Sequence, residues 1–175
     1  RLTNMEKYAL LIINTLKEYI YGNVKCESPK EIIGPIREIS SIFRENGFPV
    51  IYIYDLETKN DCEEKIIDDL APKEGDFIIK KRKYSGFYGT ELDEILEKKS
   101  IKNLVFSGLQ TSLSVRHTAA DAYYRDYKCI MLTNACCDVK KDLHLKSILY
   151  IRDFYGASAV STMNFPRLYL SEEEI

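Results

Sequence analysis

The sequence predicts an α/β protein, a three-layer doubly wound sandwich in which a six-stranded parallel sheet carries helices on both faces. Two observations predict it. Short, almost wholly apolar runs recur along the chain, as strands covered on both faces require, and helical segments separate them. Right-handed crossovers between parallel strands place such helices on both faces of the sheet. The 175 residues, 45% of them hydrophobic, suit one domain, which we place at residues 5–170.

Six apolar segments are predicted to be the strands, at residues 8–13, 49–54, 76–80, 101–106, 128–133 and 157–161. Helices are predicted for residues 62–70, from Thr90, from Ser112, and for residues 142–155. The clearest helix begins at Ser28, in a capping-box pattern with proline at the first helical position, and Gly47 ends it. Gly34–Pro35 favours a start one turn later.

Composition excludes several classes of function. The net charge is −2 and both signs are mixed along the chain, so no nucleic-acid groove or membrane patch is predicted. No apolar run approaches membrane-spanning length. Five irregularly spaced cysteines favour free thiols in a reducing compartment, and we expect a cytoplasmic protein. Adjacent Cys136 and Cys137 are interpreted as a buried strand-end pair rather than a metal or redox centre.

No cofactor or metal is predicted. Neither His117 nor His144 stands in a ligand spacing, and each is interpreted as a helix residue bonded to a neighbour.

Residues 103–127 predict the strand, turn and helix around which the site is built. The run Leu104–Val105–Phe106 is typical of a buried strand, Ser107 and Gly108 are expected to end it, and a helix follows from Ser112. This joint lies at the carboxyl end of a strand, where helix amides face a crevice and can hold an oxyanion. Ser114 is expected to sit over that crevice.

The same stretch resembles the nucleophile turn of the isochorismatase-like (cysteine hydrolase) superfamily, Gly-x-x-Thr-x-x-Cys-Val followed by Thr-Ala-x-Asp-Ala. Ser114 stands where the family's amidases carry the cysteine. Residues 84–90 and 116–122 are similar to archaeal members related to N-carbamoylsarcosine amidase. The resemblance covers essentially the whole chain and implies the strand order 3-2-1-4-5-6. The matching positions in the turn are Gly108, Thr111, Val115, Thr118, Ala119, Asp121 and Ala122.

The resemblance also implies the site. The family's Asp, Lys and Cys correspond to Asn14, Lys81 and Ser114, and the first and fourth strands flank the switch point where such sheets bind ligands. A non-proline cis peptide is implied near Leu109 and Gln110. The residues expected to contact substrate or an oxyanion are Leu109, Gln110, Thr111, Leu113, Tyr84, Phe87 and Asp55.

Three departures from the family pattern predict a degraded site. Asn14 has no basic oxygen at neutral pH, and Ser114 is a poorer nucleophile than a thiolate. After Asp55 the chain has only a short segment where the family often carries a substrate-covering lid and metal ligands. The first hypothesis is therefore a non-catalytic or strongly altered protein that binds a small amide or acid ligand. The resemblance implies a homo-oligomer, a dimer or tetramer.

The second hypothesis is a Ser-Lys amidase or esterase acting on a small C–N or ester substrate. In the family, the Asp carboxylate holds the lysine, so its replacement by Asn14 is expected to let a buried Lys81 lose its proton more easily and act as a base for Ser114. An enzyme needs Ser114 within hydrogen-bond reach of Lys81 beside an open pocket. The alternative is structural: Ser114 as a small residue at a helix start, Lys81 reaching solvent, Tyr84 and Phe87 in packing.

Overall fold

The computed structural model describes residues 6–22, 26–56 and 66–171. Its six strands form one parallel sheet in the order β3-β2-β1-β4-β5-β6, which confirms the predicted architecture and strand order. The strands are β1 Tyr8–Ile13, β2 Val50–Asp55, β3 Phe77–Lys81, β4 Asn103–Leu109, β5 Lys128–Cys137 and β6 Ser158–Val160. The α-helices are α1 Lys17–Ile20, α2 Ile33–Glu45, α3 Leu92–Lys98, α4 Arg116–Tyr123, α5 Lys141–Tyr155 and α6 Phe165–Tyr169.

Two hydrophobic cores, one on each face of the sheet, make the predicted three layers. Alternate residues of β1 point to opposite faces, so Leu10 and Ile12 enter one core and Leu11 enters the other. Helices α2 and α6 cover the first face, and α3, α4 and α5 cover the second. Because both faces are covered, every residue of β1 is buried, which explains why this strand is a continuous apolar run.

Several element boundaries differ from the prediction. The prediction of a capping box at Ser28 is wrong, because the Ser28 backbone is in the left-handed region (φ 52°) and its side chain makes no capping hydrogen bond. A 3-10 turn at Pro29–Ile32 comes first and α2 begins at Ile33, the later start that Gly34–Pro35 favours. Of the helix predicted at residues 62–70, Cys62 to Lys65 lie outside the described residues, and the rest contains only the 3-10 turn Asp68–Leu70. Helices α1 and α6 are additions to the prediction.

Strands β4 and β5 run further than predicted, to Leu109 and Cys137. Their extended ends place the turn that carries Ser114. Ser107 and Gly108 do not end β4, which runs on to Leu109 because its last residues pair with the extended end of β5. A bulge between Phe106 and Gly108 shifts the register, so that Gly108 pairs with Cys136 and Leu109 with Cys137. A π-turn at Thr111–Val115 then leads into α4.

Gly108 lets β1 and β4 approach closely at the switch point. Its φ is +106°, and a Cβ added there would overlap the Ile13 carbonyl oxygen and lie 2.6 Å from the Ile13 nitrogen. Only glycine has both the conformational freedom and the space for this position. Asn14 is the next residue after Ile13, so the same close approach sets the distance between the end of β1 and the turn after β4.

No helix within the described ranges is long and apolar enough to cross a membrane.

We predict that Gly108→Ala lowers the free energy of unfolding by about 3 kcal/mol or more, because the new methyl group collides with backbone that cannot move aside. Gly47→Ala is the matched control, since Gly47 also has positive φ (+69°) but open space around its Cα. That variant is expected to lose only about 1 kcal/mol, the conformational cost alone. Urea unfolding of both variants measures the difference, and equal losses would contradict the steric account.

Candidate active site

The structure brings Asn14, Lys81 and Ser114 together at the carboxyl ends of three strands. Ser114 Oγ accepts hydrogen bonds from Lys81 Nζ at 3.0 Å and from Asn14 Nδ2 at 3.3 Å. Asn14 follows β1 with φ 55°, a left-handed conformation that asparagine tolerates, and its N–H donates to the Ile53 carbonyl. Two donors therefore point at the Ser114 oxygen, where they would stabilise negative charge as it develops.

Asp55 supplies the negative charge of the site. Its carboxylate accepts hydrogen bonds from Lys81 Nζ, from Asn14 Nδ2 at 3.1 Å and from the Tyr19 hydroxyl at 2.9 Å. Its backbone N–H donates to Asn14 Oδ1 at 3.0 Å, so Asn14 holds both ends of this residue. The expectation that Asn14 leaves Lys81 without a counter-ion is therefore wrong. The carboxylate stands on the neighbouring strand.

Lys81 is completely buried, so the interpretation that it reaches solvent is also wrong. Its Nζ donates to the Lys83 carbonyl at 3.1 Å as well as to Asp55 and Ser114. Burial lowers the pKa of Lys81 below its usual 10.5, while the hydrogen bond and charge of Asp55 act in the opposite direction. The predicted direction is right, but desolvation causes it rather than a missing partner.

A cavity of about 220 Å³ opens beside Ser114. Four of its eight lining residues are aromatic or apolar, and the polar groups include Asn14, Asp55 and Ser114, which meet at one end. A site of this size suits a small ligand. The residues that line it are Asn14, Tyr19, Asp55, Tyr84, Leu109, Gln110, Leu113 and Ser114.

Two predicted contact residues lie elsewhere. Thr111 is fully buried, and its hydroxyl donates to the Cys137 carbonyl at 3.0 Å and lies 2.8 Å from His144 Nδ1. Phe87 packs in the core, stacked on Tyr127. Both residues are buried, and neither lines the cavity.

Tyr19 was missed as a site residue. It lies in α1, five residues after Asn14, and is not among the residues predicted for the site. Its hydroxyl group could have indicated a role in the site, because it donates a hydrogen bond to the Asp55 carboxylate.

Other motif residues tie the loop after β3 to α4. Thr118 accepts a hydrogen bond from the Gly86 N–H at 2.9 Å and donates to the Ser114 carbonyl at 2.7 Å. Ser85 donates to the carboxylate of Asp121. This bracing fixes the distance between the strand that carries Lys81 and the helix that follows Ser114.

The turn after β4 contains a cis peptide bond between Leu109 and Gln110, as the resemblance implied. Two of the amides predicted as oxyanion donors have internal partners: Ser112 N–H donates to the Asp138 carboxylate at 2.6 Å and Leu113 N–H to the Gln110 carbonyl at 3.1 Å.

Both histidines are bonded to neighbours. His117 Nδ1 lies 2.8 Å from the Leu113 carbonyl, and His144 Nε2 lies 3.0 Å from the Thr133 carbonyl. Among the described residues, no three His, Cys, Asp or Glu side chains form a group that fits a metal ion. Part of the short segment between Asp55 and Asp76, residues 57–65, lies outside the described residues.

We predict that Asn14→Asp alone destabilises the protein, because it sets a second carboxylate about 3.1 Å from that of Asp55. One of the two carboxyl groups must then have a raised pKa in the folded state. The folded protein binds more protons than the unfolded chain, so stability falls as pH rises through the ordinary carboxyl range and above it. The expected loss at pH 8 is about 1–3 kcal/mol, measured by urea unfolding at pH 5 and pH 8.

The exchange Asn14→Asp with Asp55→Asn is the matched control, since it keeps one carboxylate and one amide at the same contact. It should recover most of the lost stability in a double-mutant cycle. The exchange variant could instead lose as much free energy of unfolding as the two single variants lose together. In that case the two side chains would not interact, and the account would be wrong.

Comparisons with known proteins agree with this architecture. The family model described as "Isochorismatase domain" matches residues 8–163. N-carbamoylsarcosine amidase from Thermoplasma acidophilum superposes with a TM-score of 0.79 at 32% identity, over 89% of this chain and 96% of that one. An isochorismatase-like hydrolase from Alkaliphilus metalliredigens superposes with a TM-score of 0.88 at 24% identity, over 97% and 99% of the two chains, and shows the same fold.

Curated relatives include the ureidoacrylate amidohydrolase RutB of Yersinia enterocolitica, 37% identical over 99 residues, which are 56% of this chain and 43% of that protein. The RutB of Acinetobacter baylyi is 36% identical over 99 residues, 56% of this chain and 40% of that protein. The chain spans less than half the length of the curated relatives it matches.

Proposed function

Because this chain belongs to the isochorismatase family, we propose that it is a hydrolase in which Ser114 takes up the acyl group of a small amide or ester and Lys81 acts as the base. One observation carries the proposal: Ser114 Oγ lies 3.0 Å from Lys81 Nζ beside an open cavity. These are the two conditions that a Ser-Lys enzyme has to meet, and a purely structural serine has to meet neither.

In the proposed reaction, the neutral amine of Lys81 accepts the hydroxyl proton of Ser114 as Oγ attacks the substrate carbonyl carbon. The resulting ammonium gives this proton to the leaving nitrogen or oxygen when the tetrahedral intermediate collapses. Water then attacks the acyl-serine, again with Lys81 as the base. The Asn14 side-chain amide, 3.3 Å from Oγ, stabilises negative charge on that oxygen but does not accept its proton.

The contacts of Lys81 are compatible with both of its protonation states. As an ammonium it donates to Asp55, to the Lys83 carbonyl and to Ser114. As an amine it keeps two donors for Asp55 and Lys83 and turns its lone pair towards the Ser114 hydroxyl. Burial favours the amine and Asp55 favours the ammonium, so reactivity is expected to rise with pH.

The class of substrate is inferred from the cavity and from the relatives. A cavity of about 220 Å³ lies below the usual range for drug-sized ligands, which favours a small molecule. Tyr19, Tyr84, Leu109 and Leu113 offer it apolar and aromatic walls. The relatives are named as an amidase and as amidohydrolases, which supports a C–N bond as the bond cleaved.

A second candidate is a protein that binds a small ligand without turning it over, as the first sequence hypothesis expected. The Lys81–Asp55 ion pair favours it, because a lysine held as an ammonium donates to Ser114 and cannot accept its proton. The predicted homo-oligomer stays a prediction under either candidate.

We predict that a fluorophosphonate labels Ser114 in the purified protein and that Lys81→Met slows this labelling at least about 100-fold, the usual contribution of a positioned base. Lys83→Met is the matched control, since it removes a neighbouring ammonium but keeps the backbone carbonyl that Lys81 uses. Intact mass and peptide mapping give the rate and the site, with thermal unfolding as the check on folding.

Labelling at another residue, or a folded Lys81→Met variant that is labelled at the wild-type rate, would contradict the Ser-Lys proposal. No labelling of the wild-type protein at any pH up to 10 would favour the ligand-binding candidate.

A further inference from the structure

The structure contains a second cavity, of about 460 Å³. Two residues of its wall contact Thr111, in the turn after β4. Thr111 donates to the carbonyl of Cys137 and lies 2.8 Å from His144, and both of these partners line the second cavity. Its wall includes polar and charged side chains, so water and small polar solutes can enter it. Two residues of the cavity wall therefore contact the turn that leads to Ser114.

Two cysteines from distant parts of the sequence come together next to this cavity, and one of them, Cys137, lines its wall. The N–H of Glu27 donates to the Asp138 carbonyl at 2.8 Å, which sets Cys26 beside Cys137, the last residue of β5. Both side chains pack on the same core, and the neighbouring Cys137 thiol lowers the pKa of Cys26. The sequence interpretation considered only the neighbours Cys136 and Cys137, whereas the structure pairs Cys137 across the fold.

The two thiols have different reactivities. Cys26 is partly exposed, and hydrogen bonds from Cys137 and from the Gln110 side chain lower its pKa, with burial opposing them. Cys137 is buried, and donating to Cys26 raises its pKa. This is the division between an attacking thiolate and a resolving thiol. Cys129 and Cys136 are buried with pKa values raised to about 12, so they are poor competitors.

We propose that Cys26 and Cys137 are a redox-active pair that closes to a disulfide when the protein meets a peroxide. The Cys26 thiolate attacks one peroxide oxygen, the O–O bond breaks, and the departing hydroxide takes up a proton to become water. The Cys137 sulfur then attacks the sulfenic sulfur of Cys26, the S–O bond breaks, and the thiol proton leaves with the hydroxyl as a second water. Two thiols lose two electrons in total, and one peroxide gains them.

The bridge would also act on the Ser114 turn. Cys26 would lose the thiolate that Gln110 binds, and Cys137 would move while its carbonyl holds Thr111. We expect the oxidised protein to react more slowly at Ser114 than the reduced protein. This second part rests on the proposed function, whereas the disulfide does not.

The test treats the full chain with hydrogen peroxide, followed by intact mass, thiol counting and peptide mapping without reduction. The expected result is a loss of two hydrogens, a peptide that joins Cys26 to Cys137, and reversal by dithiothreitol. Cys26→Ser should abolish the bridge, while Cys136→Ser, at the buried neighbour of Cys137, should keep it. A bridge from Cys26 to Cys62, or sulfinic acid at Cys26 without any bridge, would overturn the pairing.

Fluorophosphonate labelling of the oxidised and reduced protein then tests the coupling. Equal rates in the two forms would overturn the effect on the turn and leave the disulfide standing. If even the reduced protein fails to label, the proposed function has failed, and the mapping still decides the disulfide by itself.

Discussion

A lysine with no solvent exposure needs a carboxylate beside it or loses its proton, and this requirement organises the whole site. Asp55 and Lys81 are register partners on the adjacent strands β2 and β3, so the sheet itself sets the carboxylate against the amine. Asn14 and Tyr19 fix the orientation of that carboxylate. The family resemblance implies an Asp where this chain carries Asn14, yet the charge that a buried lysine requires is present on the next strand.

The fold contributes the second constraint, the position of Ser114. The bulge in β4 and the pairing of its last residues with β5 carry the strand past Ser107 and Gly108. Gly108 then allows the close approach to Ile13 that brings the π-turn over Asn14. Ser114 Oγ consequently meets donors from two other strands, and the cavity opens on the side where it has room to react.

Much of this was predictable from the sequence, and the failures have physical reasons. Buried parallel strands are apolar runs, so their existence and rough limits follow from composition, and polar residues at their ends converge at one edge of the sheet. The role of Asp55 depends on register between β2 and β3, which no local pattern encodes. Ser107 and Gly108 have the composition of a strand end, and only the bulged pairing with β5 shows that they continue β4. Thr111 and Phe87 match motif positions, but a motif does not tell supporting residues from lining ones.

The most direct test of the account is the pKa of the Lys81 amine, measured by NMR titration of protein labelled at lysine, in the wild type and in Asp55→Asn. The account predicts a wild-type pKa below the ordinary 10.5, because burial outweighs the ion pair, and a still lower value in the variant, because the opposing carboxylate is gone. A wild-type pKa at or above 10.5 would contradict it, because Lys81 would then be a fixed ammonium and Ser114 would have no base. No change of the pKa in Asp55→Asn would contradict the role given to Asp55.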